Sequence, residues 1–127
     1  MTGRTDALRR IARGIGAVTL ATGATQVVAP RFVLRRIGGE EGATSRHLFG
    51  TIGFFMVVVG GLLTRATGRT APQRDVVTWS AVQKVGATTA MSIGVARGVF
   101  SPVALLVALF DGVSAVLLLA YRSRIRP

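Results

Sequence analysis

The 127-residue chain has no cysteine, and only one histidine, one lysine, one tryptophan and one tyrosine. Without cysteine, disulfides, thiol nucleophiles and Cys-ligated zinc or iron–sulfur centres are excluded. His47 alone cannot supply both axial ligands of a bis-histidine haem. Acidic residues are scarce too: Asp6, Glu40, Glu41, Asp75 and Asp111 are the whole set. Glu40 and Glu41 lie in a connecting segment, with no acid or base at catalytic spacing. No hydrolase constellation, phosphate loop or metal site can be drawn. The glycines of 16–23 lack the strand–turn–helix setting of a dinucleotide fingerprint. The chain is therefore expected to be no enzyme, to bind no metal and to carry no cofactor of its own.

Apolar residues and arginine fill the space. Half of the chain is apolar, the mean hydropathy is +0.52, and only 17% of residues are charged. The net charge of +11 is carried by fifteen Arg and by Lys84. In a soluble protein such a balance points to nucleic acid. Here the arginines flank apolar stretches and no aromatic–basic platform appears, so the expected partners are the lipid bilayer and its anionic headgroups, not nucleic acid.

Four stretches approach the ~20 residues needed to cross a hydrocarbon core. They run over about residues 14–30, 47–65, 76–97 and 102–121. The fold class expected is all-α: a transmembrane four-helix bundle forming one integral membrane domain over 1–127. The second and fourth stretches are the most apolar. The first and third are rich in Thr, Gly and Ala, and insert only if neighbouring helices cover their polar side. A signal-peptide reading of the N-terminus is disfavoured, because Thr and Gly interrupt the apolar run and more membrane sequence follows. Pro102 suits the first position of the last helix.

Arginine placement sets an orientation. Arg4, Arg9, Arg10, Arg65, Arg69, Arg74, Arg122, Arg124 and Arg126 fall on one side; Arg31, Arg35, Arg36, Arg46 and Arg97 fall on the other. Nine against five predicts N-in/C-in, with Trp79 and Tyr121 at the cytoplasmic interface. The Arg-over-Lys bias and the Ala, Gly and Val richness suggest a high-GC bacterium, and the apolar stretches a multi-pass protein of its inner (plasma) membrane.

Small residues recur at helical spacing, as close helix packing in lipid requires. Gly16, Thr19, Gly23 and Gln26 form one seam in the first stretch. Gly50, Gly53, Val57, Gly60 and Thr64 form another in the second, and Ala104, Ala108, Asp111 and Ala115 one in the fourth. The third carries two stripes, Gly86, Ala90, Gly94 and Gly98, and Ser80, Lys84, Thr88 and Ser92. A helix small on one side and polar on the other is expected to be packed on both, so the third should be the most central or form a subunit contact.

Asp111 is the costliest residue. A carboxylate near the bilayer midplane costs about 2.5–3.5 kcal/mol on insertion scales. Counting back through the short turn between the third and fourth stretches puts Thr88 level with Asp111 and Lys84 one turn, about 5.4 Å, closer to the cytoplasm. Lys84 is thus the expected partner of Asp111, with Gln26, Ser80, Gln83 and Thr88 as supporting hydrogen-bonding groups. The pair either fixes helix register or handles protons, ions or a ligand. Arg46, His47 and Arg97 are expected at the outer mouth, as headgroup anchors or as a contact for an anion or a quinone headgroup.

The layout resembles the DoxX-like group of small four-helix bacterial membrane proteins. The resemblance is carried by Ala29-Pro30-Arg31 ending a Gly-containing first helix, by Ile37-Gly38, by Arg46-His47-Leu48-Phe49-Gly50 opening the second, and by Asp111 in the last. It implies a subunit or partner of a membrane oxidoreductase system, with any quinone reached through that partner. Small four-helix multidrug exporters are a weaker comparison, because they place their carboxylate in the first helix. The function expected is therefore a non-enzymatic accessory or structural subunit of a membrane complex. The alternative is a small oligomeric carrier or proton-coupled transporter with Asp111 as its titrating group.

Overall fold

The structure is a computed structural model that describes residues 3–69 and 71–126. It is all-helical, with no strand among the described residues. Four long helices, α1 (Gly3–Val28), α3 (Ala43–Thr67), α4 (Arg74–Ala96) and α5 (Ala104–Arg124), are joined by short turns and by one short helix, α2 (Pro30–Ile37). α3 and α5 are each long and apolar enough to cross a membrane, and α1 with α2 meets the same criterion if the bent pair counts as one broken span. α4 does not meet it alone.

The break between α1 and α2 has a local cause. Proline disfavours helical backbone in the residue before it, and Ala29 sits at φ −137°, ψ 64°. The chain turns through 108° there. Sequence periodicity treats residues 30–45 as a connecting loop; the structure makes the first part of it a helix. Pro30 starts α2 at a position where its missing N–H costs nothing, and Leu34 and Ile37 bury its apolar face. Its other face carries Arg31 and Arg35, both held by Glu41 Oε1 at 2.9 and 2.7 Å, and Arg36, stacked on Phe32 at 4.6 Å.

α2 and α4 end alike. Gly38 and Gly98 adopt left-handed backbone (φ 70° and 72°), and the following N–H groups reach back to Leu34 O (2.9 Å) and Gly94 O (2.8 Å). This six-to-one bond pattern satisfies the terminal carbonyls and favours glycine at the left-handed position. Phe100 then folds back onto Gly94, where an added Cβ would lie 2.6 Å from the ring. The Ser101 N–H donates to Ile37 O at 2.8 Å, fastening the end of α2 to the α4–α5 turn. Pro102 lies in that turn, in a run of i→i+3 bonds, rather than inside α5.

The long helices pack as two pairs, α1 with α3 and α4 with α5, joined by contacts of α1 with α5 and of α3 with α4. α1 and α3 approach almost backbone to backbone. A Cβ on Gly16 would lie 2.8 Å from Thr64 N, one on Gly23 2.5 Å from Gly53 O, and one on Gly60 2.5 Å from Leu20 N. Gly16 and Gly23 on one helix thus interlock with Gly60 and Gly53 on the other, running antiparallel. Ala12, Ile15, Leu63, Val77, Ala81, Leu118, Tyr121 and Ile125 form the apolar core near the chain termini. Tyr121, expected at an interface, is inside this core at 2% exposure, whereas Trp79 is 69% exposed.

The small-residue stripes divide. Gly53, Gly60, Gly94 and Ala108 are buried and Gly50 is half-buried, with its Cβ position 3.6 Å from Gln26 O. Gly86 and Ala90, expected to pack, are exposed, and a Cβ on Gly86 meets nothing within 4 Å. Of the two expectations for α4, the central place goes to α1, which packs against α3, α5 and α2, while the exposed Gly86–Ala90 stripe is what a subunit contact would leave in one chain. α1 carries small residues on both sides: Gly16, Thr19, Gly23 and Gln26 are buried, while Gly14, Ala17, Ala21 and Thr25 are exposed.

Gly60→Ala would push against backbone alone and Gly23→Ala against backbone and the Met56 Cβ, so each is expected to destabilise the fold by about 1–3 kcal/mol, as overpacking does. Gly86→Ala should be neutral or stabilise by up to about 1 kcal/mol, because it relieves glycine's entropic cost in open space. Thermal unfolding in detergent measures the contrast.

Candidate functional site

The polar centre is built from three helices. α5 contributes Asp111, α4 contributes Lys84 and α1 contributes Thr19, all buried. Lys84 Nζ stands 3.1 Å from Asp111 Oδ1, with side-chain exposures of 3% and 10%. The same ammonium donates to Thr19 Oγ1 at 2.7 Å, and the Thr19 hydroxyl donates onward to Ile15 O at 2.8 Å. The Phe110 ring centroid lies 5.3 Å from the ammonium, within cation–π range. One positive group is therefore met by a carboxylate and an aromatic ring from adjacent residues of α5 and by a hydroxyl from α1.

Geometry of this kind suits charge storage in a dry site. The attraction between opposite charges grows as the dielectric falls, and the hydrogen bonds occupy donors that would otherwise be left unmade. The arrangement joins α1, α4 and α5 at one depth.

The expected supporting residues are placed differently. Thr88 donates to Ala108 O, bonding α4 to α5 beside the pair. Ser80 donates to Val76 O at 2.7 Å, within its own helix. Gln26 Nε2 donates to Phe49 O at 3.3 Å, between α1 and α3. Gln83 Oε1 is buried without a hydrogen-bond partner among the described residues. None of the four bonds to the Asp111–Lys84 pair; Thr19 does. The signal for Thr19 was its place in the Gly16–Gln26 seam, but the seam does not say what it faces.

At the α2 end, Arg46 and His47 line an open cavity of ≈490 Å³ with Val27, Pro30 and Gly50. Arg97 is exposed and does not line it. Away from the long apolar stretches, Asp6 and Glu41 are held by arginine. The hydrogen bond from Arg9 holds Asp6 below its ordinary carboxylate range, and the hydrogen bonds from Arg31 and Arg35 do the same for Glu41. No group of three or more His, Cys, Asp or Glu side chains that could hold a metal ion occurs among the described residues. Comparison with protein-family models, curated proteins and solved structures finds no match to this chain.

Removing one partner of a buried pair leaves the other charge uncompensated, at a cost of about 3–5 kcal/mol. Asp111→Asn and Lys84→Met should each lower the unfolding midpoint in detergent on that scale, and Thr19→Val by about 1.5–3 kcal/mol. The double variant Asp111→Asn/Lys84→Met should recover most of the loss. Additive losses in the double variant would show that the two side chains do not act as a pair.

Proposed function

We propose that this chain is a polytopic protein of the cell membrane: a transmembrane four-helix bundle with both termini in the cytoplasm, serving as a non-enzymatic accessory subunit of a larger membrane complex. α3 and α5 supply the apolar spans, α1 with α2 supplies a bent one, and α4 inserts with Ser80 and Lys84 buried against its neighbours. The arginine asymmetry supports the orientation: the end with the chain termini carries the larger share.

The observation that carries the subunit reading is the contrast between exposed faces. α3 turns Leu48, Ile52, Phe54, Phe55 and Leu62 outward, and α5 turns Leu105, Leu106, Leu109, Val113 and Val116 outward, as lipid-facing helices do. α1 exposes Ile11, Val18, Val27 and Val28 as well, but sets among them the small residues Gly14, Ala21 and Thr25, seven and four residues apart. Lipid gains little from such a surface, whereas another helix can approach it closely. The Asp111–Lys84 pair then acts as the internal lock that keeps α1 in position to present that face. A partner in a redox system is what the resemblance to DoxX-like proteins implies.

Native mass spectrometry of the protein extracted from its own membranes in mild detergent tests this. A second protein at fixed stoichiometry is expected. Ala21→Leu with Thr25→Leu should remove that protein without lowering the unfolding midpoint, and Leu106→Ala on the lipid-facing side should leave it bound. A homo-oligomer holding only lipid, together with a pH-dependent flux that Asp111→Asn abolishes without unfolding the protein, would overturn the subunit reading in favour of a carrier.

A further inference from the structure

We propose that the groove between α1 and α3, at the end holding the chain termini, is a binding site for one anionic phospholipid of the cytoplasmic leaflet. The groove is open on its outer side and offers ≈590 Å³, within the ~300–1,000 Å³ typical of small-molecule sites. Its mouth carries three guanidiniums: Arg13 from α1, Arg65 from the last turn of α3 and Arg69 just beyond it. Its floor is apolar and shallow-walled, formed by Ala17, Leu20 and Gly61.

The charges set the occupant. Asp6 is taken by Arg9 and Arg10, Glu41 by Arg31 and Arg35, and Asp111 by Lys84. Among the described residues, no carboxylate pairs with Arg13, Arg65 or Arg69. The site is nonetheless drawn together: a Cβ on Gly68 would lie 3.6 Å from the Arg13 guanidinium carbon, so Arg13 reaches across the groove to the end of α3. Three like charges converging on one cavity repel each other until an anion joins them, and guanidinium binds phosphate oxygens in forked geometry.

The shape sets the class of anion. Arg13 and Leu20 are seven residues apart on one helix, about 10 Å along its axis. A phosphate at the mouth therefore continues naturally into an acyl chain laid over Ala17 and Gly61. A free phosphate would leave that apolar floor uncovered. The small side chains at Ala17 and Gly61 keep the floor open; a Cβ on Gly61 would already touch Leu20 Cδ1 at 3.4 Å. The depth is right as well. The Arg46–His47 cavity opens at the far end of α1, beside Pro30, and the seventeen residues from Arg13 to Pro30 span about 26 Å, near the ~30 Å hydrocarbon core. The inference rests on the membrane-spanning part of the proposed reading and not on the accessory role.

The test uses full-length protein recovered from the membrane fraction, stripped of lipid in mild detergent and titrated with dioleoylphosphatidylglycerol, with bound lipid counted by native mass spectrometry. One tightly held phosphatidylglycerol is expected, displaced neither by dioleoylphosphatidylcholine nor by millimolar inorganic phosphate. Arg13→Gln/Arg65→Gln/Arg69→Gln should weaken binding about tenfold or more. Arg4→Gln/Arg124→Gln/Arg126→Gln removes the same charge from the same end and should change it by no more than about twofold. Gly61→Leu, which fills the floor and keeps every charge, should also lose the lipid, with the unfolding midpoint checked in parallel. Equal losses in the two arginine triples would mean diffuse attraction, displacement by phosphate would mean a free-anion site, and retention in Gly61→Leu would remove the acyl groove; each overturns the proposal. Recovery of the chain from the soluble fraction would instead overturn the spanning reading itself.

Discussion

One ammonium group ties three helices together. Lys84 is bonded to Asp111 on α5 and to Thr19 on α1, so the placement of α1 against the α4–α5 pair depends on it. In the proposed membrane setting this matters more than a similar contact would in a soluble domain. Between helices in hydrocarbon there is no hydrophobic force, because lipid tails are as apolar as leucine. What remains is close approach of backbones and polar bonds. The chain uses one device for each joint: interlocked glycines hold α3 against α1, and the ion pair with its hydroxyl holds α1 against α4 and α5.

The ends complete what the middle starts. The apolar core gathers at the end with the chain termini, around Leu63, Leu118 and Tyr121, and Arg122 Nε adds a bond to Thr78 Oγ1 at 2.6 Å. The opposite end has α2 instead, lying across the break at Pro30 and bonded to the α4–α5 turn through Ile37 and Ser101. α1 is thus fixed at both ends and the middle. With its inner side committed to α3, Lys84 and α5, α1 holds its outward small residues Gly14, Ala21 and Thr25 in place.

Much of this was legible in the residues, and the failures share a cause. Helical arithmetic across a short turn was enough to pair Asp111 with Lys84, because the antiparallel geometry of two consecutive helices leaves little freedom. The Gly16–Gln26 and Gly53–Gly60 seams were legible for the same reason: both read as periodic within one helix. Thr19's bond to Lys84 was not legible, since it joins residues 65 apart in sequence and local periodicity holds no information on which seam faces which. The Gly86–Ala90 stripe shows the ambiguity from the other side. It repeats as regularly as the buried seams, yet it points outward, because a small-residue stripe records close packing without saying whether the neighbour is in the same chain. α2 escaped notice because eight residues give barely two turns, and its arginines resemble a charged loop. Tyr121 was assigned to an interface by its chemistry, but packing against Leu118 and Ala81 won.

The contrast between fifteen exposed or half-exposed arginines and one buried lysine follows from the same physics. A guanidinium carries five N–H donors in a fixed plane, and in a dry site each unmade bond is costly. The buried centre offers one carboxylate oxygen, one hydroxyl and a ring face, which is too little for arginine and close to the capacity of an ammonium with three donors. At the ends of the bundle, where the proposed reading puts the membrane surface, the preference reverses. Water and phosphate satisfy every arm of arginine, its charge is permanent, and forked bonding to phosphate gives it a grip that a point charge lacks. The chain therefore places arginine where anions and water are available and lysine where only two oxygens are, and its fold depends on keeping those two settings apart.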